Sequence, residues 1–575
     1  MIRKRYPAWI LAGSVLLTGC NSDDSSDDTA ANTPAQRCES LKDQALDETQ
    51  LTSSTLETTG DDGMQACHVA GKINERTSPV DGQTYAIGFE LWLPVDWNGR
   101  FYYQGGGGTD GAIQSVDPAL LAEGWAVVVS DSGHSNDTNV SELAGTNEFG
   151  LDPQARLDYG YNGPAQATLK AKALTESFYD DAIDYSYFQG CSEGGREGLM
   201  FSQRYPTYFD GIVAGNPGMD LPKAAVAEAW DSQAFAEAAT QTTEFGNPDL
   251  ASAFSNDDLS TIGNAILDAC DADDGLVDGM VFDPQACDFD PSTLGPGGTG
   301  DLTAAQVTAL QKVFGGAKNA LDEPLYAGWF WDPGIAAQGW RMWKTGPLSP
   351  DIPGNSGLNV TLGGGSLPFV FTTPPNSMTN GTAITTGSQV EDANPLDQPG
   401  MSGYGGAFVQ WILGFNMDTD APKIYATDDT YTEAAMTFMG TSSTDYAGFR
   451  DHGSKLLMYT GQADPVFSSK YHLQWYNNLV SANGGLAATQ NFARIFVVPG
   501  MNHCGGGPST SQFDSLSALQ QWVEKDQAPE RITATAPEST PWPGRTRPLC
   551  AYPQQAHYTG SGDIEDASNF ECRTP

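Results

Sequence analysis

Basic residues are scarce in this chain: 28 Lys and Arg stand against 72 Asp and Glu, a formal net charge of −44. Nucleic-acid binding needs clustered cations to neutralise phosphates, and no such cluster occurs, so that class is excluded. Histidine is scarcer still, with six in 575 residues, which leaves few candidates for imidazole-dependent chemistry. The nine cysteines include no CxxC spacing, so neither a zinc ribbon nor a thioredoxin-like redox motif has support. Beyond the first twenty residues no uninterrupted apolar run is long enough to span a bilayer. No internal repeat is found. What is abundant is core-forming material: 39% hydrophobic and 10% aromatic residues argue for a large folded interior and against wholesale disorder. Length alone would suggest about four domains, although α/β folds often absorb such a length in one.

The N-terminus reads as a processing signal. Arg3, Lys4 and Arg5 precede an apolar stretch from Trp9 to Leu17, and Leu17-Thr18-Gly19-Cys20 follows. That tetrad resembles the bacterial lipobox, which implies a lipoprotein signal over 1–20 and lipidation of Cys20; an ordinary secretory peptide is the alternative. Asn21 after the cysteine resembles the outer-membrane sorting pattern. Residues 21–36 are small, acidic and aperiodic, as in a solvated tether. The expected location is therefore exported: an outer-membrane lipoprotein, or a secreted or periplasmic protein, touching membrane only through its anchor. The eight remaining cysteines suit an oxidising compartment. Local pairing suggests Cys38–Cys67, Cys270–Cys287 and Cys550–Cys572, which leaves Cys191 and Cys504 to pair over a long distance.

Residues 83–103 alternate as strands do, with Pro94, Trp97, Asn98 and Gly99 marking a turn. Short apolar runs at 125–130, 211–214, 455–460 and 494–499 predict strands buried on both faces. Tyr187-Phe188 predicts one more, leading into helical spacing over 199–205, and 468–482 is helix-like. Strands alternating with helices predict a parallel sheet of the α/β class. Between 219 and 441 the texture changes to Gly, Pro, Thr and Asn with helical islands at 222–239 and 303–314. Long insertions of this kind usually serve as lids. The expected organisation is a catalytic domain formed by 37–218 and 442–575, with 219–441 inserted between its strands.

Gly190-Cys191-Ser192-Glu193-Gly194 fits G-x-S-x-G between a strand and a helix. The small residues are needed because a serine on that strained turn must expose its hydroxyl. The Glu193 amide, at the helix start, can then donate to a developing oxyanion. A serine nucleophile needs a base and an acid, in the order Ser…Asp/Glu…His along such folds, each on a loop after a strand. His503, in Gly500-Met501-Asn502-His503-Cys504, meets that condition, and Asp464 meets it after 455–460. His134 follows a strand but precedes the serine, and reads as a structural loop histidine. His68, His472 and His557 read as packing or surface residues. A Cys191–Cys504 bridge would bring Ser192 and His503 within hydrogen-bonding reach, since bridged Cα atoms lie about 5.5 Å apart.

These residues resemble the tannase and feruloyl esterase family, whose signature is a Cys-Ser, a distant Asp and a His-Cys with the two cysteines bonded. The likeness runs from about Cys38 to Cys572. It is especially close to the bacterial branch that hydrolyses mono(2-hydroxyethyl) terephthalate, through SYFQGCSEGGREG, DGIVAGNPG, VPGMNHCGGGP and TRPLCAYPQ. It implies an α/β-hydrolase core with a large lid, and a triad of Ser192, Asp464 and His503. The Gly105–Gly108 run resembles the loop that supplies the second oxyanion donor, from Gly108. A structural Ca²⁺ in the lid is implied, held by the side chains of Asp271, Asp274 and Asp278 and the carbonyls of Leu276 and Met280. Substrate contacts implied are Glu193, Leu221, Trp343 and Phe467.

One departure bears on substrate. The terephthalate branch grips a free carboxylate with a lid arginine, and Leu358 falls at about that place here. No Lys or Arg occurs from Thr345 to Pro422. The expected function is a monomeric serine esterase acting on small esters of uncharged aromatic acids, feruloyl or galloyl. The alternatives are terephthalate-monoester hydrolysis and a catalytically silent binding protein of the same fold.

Overall fold

A computed structural model describes residues 33–60, 63–140, 145–243, 246–298, 300–346, 357–375 and 405–575. The leader, Cys20 and nearly all of the expected tether lie outside the described residues. The tether ends sooner than its composition implies. Thr33 accepts from the Gln36 amide, Gln36 returns the bond, and Pro34 opens a helix over Pro34–Ser40, so 34–36 belong to the folded chain.

Nine strands form one sheet: β1 (Thr49–Thr59), β2 (Met64–Thr77), β3 (Thr84–Pro94), β4 (Arg100–Gln104), β5 (Ala126–Ser130), β6 (Tyr185–Cys191), β7 (Gly211–Gly215), β8 (Lys455–Gly461) and β9 (Ala493–Val498). Their order is β1-β2-β3-β5-β4-β6-β7-β8-β9. From β5 to β9 every pairing is parallel, while β1, β2, β3 and β5 pair antiparallel. The sheet is therefore mixed rather than wholly parallel. Alternation of side chains divides the core: Phe188, Ile212 and Met458 pack on one face, Tyr187, Val213 and Leu457 on the other. Helices Gly163–Tyr179, Glu193–Arg204 and Ser469–Ala482 serve the first face and Ser515–Lys525 the second.

The chain leaves the sheet after β7 and returns at β8. Between them, helices Leu221–Ala238, Asn256–Cys270 and Ala304–Gly315 bury a hydrophobic core of their own. Asp220 ties the two ends of this excursion together. Its carboxylate accepts from the Thr441 amide, the Ser442 hydroxyl and the Tyr471 hydroxyl. Among the described residues no helix is long and apolar enough to cross a membrane.

Candidate active site

The register Cys191↔Gly215 between β6 and β7, Gly215↔Tyr459 between β7 and β8, and Gly461↔Val498 between β8 and β9 aligns the carboxyl ends of these strands. Loops leaving that edge meet, as ligand loops of open α/β sheets do. Ser192 follows β6 with φ 64° and ψ −121°, a conformation costly for a side-chain-bearing residue and characteristic of a strained functional turn. Its amide donates to Gly215 O (3.0 Å) and its carbonyl accepts from Gly218 and Arg196, which hold the turn. The following helix can sit close because of Gly194, where a Cβ would lie 2.7 Å from the Gly106 carbonyl oxygen.

His503 Nε2 lies 2.8 Å from Ser192 Oγ, and Nδ1 lies 3.0 Å from Asp464 Oδ2. Cys191 and Cys504, next to the serine and histidine, form a disulfide with Cα atoms 6.1 Å apart. Asp464 is buried, which raises its pKa, but the His503 charge and hydrogen bonds from His503, Asn216 and the Val466 amide outweigh burial and hold it below the usual range. Asn216 Nδ2 donates to Asp464 Oδ2 at 2.5 Å. Asn216 was not singled out by the sequence; its signal was its place directly after β7.

In the glycine run, Gly105 N–H donates to Gln189 O, Gly106 N–H to Glu197 Oε2 and Gly107 N–H to Asp110 Oδ1. Among the described residues no acceptor takes the Gly108 N–H, and Gly108 lines the cleft beside Ser192. Glu193 begins its helix, so its N–H has no intrahelical partner. Its side chain does not reach the cleft. It is buried and ion-paired to Arg196, with burial, opposed by that arginine, pushing its carboxyl up to about 7. Of the residues expected to touch substrate, Glu193 thus offers its backbone alone.

The cleft holds about 600 Å³, within the range of small-molecule sites. Trp343 lines it, with its ring 4.8 Å from that of His503. Phe467 and Leu221 do not line it. Both are buried near Gly218, and the Phe467 ring lies 5.4 Å from His503. Its wall also includes the polar Gln104, Gln114, Ser115, Asp117 and Gln189, and no Lys or Arg is among its described residues. Leu358 starts a short helix, Leu358–Thr361, outside that wall.

The other histidines are engaged elsewhere. His134 is buried against Phe149, where burial lowers its pKa to about 3. His472 is buried between Thr460 Oγ1 and Pro217 O, lowered to about 4 by burial. His68 bridges Glu57 and Glu90 on the outer strands.

The acidic loop is closed by Cys270–Cys287. Asp271 accepts from the Asp278 and Gly279 amides, Asp274 from Leu276 and Phe282, and Asp278 pairs with Arg547. Three carboxylates with backbone carbonyls in ten residues are a donor set suited to a hard cation. Their oxygens are nevertheless turned to amides and arginine, and among the described residues no three acidic, His or Cys side chains converge on a metal position. The disulfides Cys38–Cys67 and Cys550–Cys572 are also formed. Four bridges mark an oxidising compartment.

Similarity to known proteins extends over most of the chain. A family model described as tannase and feruloyl esterase matches residues 67–573. The mono(2-hydroxyethyl) terephthalate hydrolase of Piscinibacter sakaiensis is 40% identical over 544 residues, covering 88% of this chain and 85% of that protein. Feruloyl esterase B of Aspergillus niger is 27% identical over 506 residues, covering 84% of this chain and 83% of that protein. The crystal structure of feruloyl esterase B from Aspergillus oryzae superposes with a TM-score of 0.69 at 23% identity, covering 94% of this chain and all of that one (100%), a likeness of fold.

Proposed function

The chain belongs to the tannase and feruloyl esterase family, and from that premise we propose that it is a serine hydrolase of aromatic carboxylic esters. The observation that carries the reading is the continuous relay from Ser192 Oγ through His503 to Asp464. Ser192 attacks the ester carbonyl as His503 Nε2 takes its proton, and Asp464 orients the ring and stabilises the imidazolium. The Glu193 and Gly108 amides receive the oxyanion. The tetrahedral intermediate collapses as His503 returns the proton to the departing alcohol. Water, activated by the same histidine, then releases the acid from the acyl-enzyme. A fluorophosphonate probe tests the relay directly. Intact mass should rise by one adduct on Ser192, and an unlabelled serine in folded protein would sink the reading.

For the acyl group, the feruloyl esterase relatives and the absence of a cationic clamp in the cleft favour uncharged phenolic acids, packed against Trp343. A second reading is terephthalate-monoester hydrolysis, favoured by the 40% identity to an enzyme of that name. It would need a carboxylate partner other than the family's lid arginine.

The segment 219–441 is proposed as the lid. We also propose that Asp271, Asp274 and Asp278, with the Leu276 and Met280 carbonyls, hold Ca²⁺ after reorienting from their present partners. The ion would supply a crosslink within the lid and no chemistry. Chelation should lower the melting temperature and added Ca²⁺ restore it. Export, a lipid anchor at Cys20 and a monomeric state complete the proposal; the basic start, the lipobox-like tetrad and the disulfides support the first two.

A further inference from the structure

Behind the glycine run lie two carboxylates for which the proposed relay has no use. Asp110 and Glu197 are buried, Glu197 completely. Asp110 Oδ1 accepts the Gly107 N–H at 2.8 Å, and Glu197 Oε2 accepts the Gly106 N–H at 2.9 Å. Ser132 Oγ donates to Glu197 Oε1 at 3.2 Å. The fit leaves no slack, since a Cβ on Gly106 would lie 2.0 Å from Asp110 Oδ1. Asp110 Oδ2 is buried without a hydrogen-bond partner.

We propose that Asp110 and Glu197 are positioning residues that clamp the glycine run from behind, so that the next amide, Gly108 N–H, is held where the oxyanion forms. The inference rests on the esterase reading above. Four consecutive glycines have the largest backbone freedom of any sequence, and an oxyanion donor displaced by a fraction of an ångström loses most of its effect. Two charge-accepting bonds to successive amides remove that freedom before substrate arrives. Two ionised carboxylates there would repel the developing oxyanion. Burial, with Glu197 beside it, pushes Asp110 well above its usual range, and burial raises Glu197 too.

A positioning role is read in kcat. Asp110→Ala should lower kcat at least about tenfold, with KM within about twofold, because the donor acts on the transition state. Affinity for an aryl boronic acid should fall in parallel. Asp110→Asn keeps a carbonyl acceptor for the Gly107 N–H and tolerates the left-handed φ of 56°, so it should recover most of the loss. Should Asp110→Ala not fold, Glu197→Ala compared with Glu197→Gln carries the same prediction from helical backbone. Wild-type kcat in a folded alanine variant would overturn the clamp, and so would an asparagine variant as slow as the alanine one. If Ser192 takes the fluorophosphonate and the clamp variants are unimpaired, the clamp alone is lost. If Ser192 does not react, the esterase reading fails first.

Discussion

At the scale of residues, the serine and histidine were legible because each sits in a pattern that physical constraint makes rare. Only small residues allow the Ser192 turn, and only His503, of six histidines, follows a strand after the serine. Asp464 is held by more than the histidine: Asn216 and the Val466 and Phe467 amides also donate to it. Asp464→Asn leaves these neighbours in place but presents the wrong hydrogen-bond partner to His503, so kcat should fall by about 10⁴. Steady-state turnover of an activated ester with the folded variant checks it. Because the folded Asp464 titrates below its unfolded value, its stabilisation is present above about pH 4 and is lost as pH falls through the folded value. Asp110 and Glu197 were not legible. Asx and Glu residues abound in an acidic chain, and nothing local distinguishes one that reaches across the fold. The Glu193 side chain misled for a related reason, since Arg196 one turn on claims it.

At the scale of elements, the six parallel strands β4 to β9 were readable, β4 by its alternation and the others as apolar runs or as the approach to the serine. β1 and β2 were missed. β1, TQLTSSTLETT, is mostly polar because only part of the outer antiparallel sheet is buried. The element most informative about function is the Cys191–Cys504 bridge, which joins the last residue of β6 to the loop after β9 across 313 residues. Closing so long a loop constrains the unfolded chain by about 6 kcal/mol in the chain-entropy model. The double substitution Cys191→Ser with Cys504→Ser should therefore lower stability by several kcal/mol. It should also lower kcat more than removing Cys38–Cys67 does, since that bridge lies far from the serine. Denaturant unfolding and kinetics on the two double variants make the comparison. Equal activity in both would mean that the 191–504 bridge only staples loops.

At the scale of the whole molecule, charge dominates. A net charge of −44 repels itself more as pH rises. Several buried carboxyls add to this: burial lifts Asp131 and Glu193 to about 7, and Asp231 and Asp332 to about 6. Between about pH 4 and those values the unfolded chain has released protons that the folded chain retains. Stability must therefore fall as pH rises through that window. Melting temperature should be highest near pH 5, fall toward pH 7.5, and recover partly with added salt, which screens the surface component. Thermal scans across pH at two ionic strengths test this, and a melting temperature that rises from pH 5 to 7.5 would refute it. Catalysis by Ser192 is tested most directly by hydrolysis of methyl ferulate, methyl gallate and mono(2-hydroxyethyl) terephthalate by the purified protein beside Ser192→Ala. Turnover of the phenolic esters should exceed that of the terephthalate monoester, with about a 10⁵–10⁶-fold loss in the variant. No turnover of any ester, or turnover that survives loss of Ser192, would contradict it.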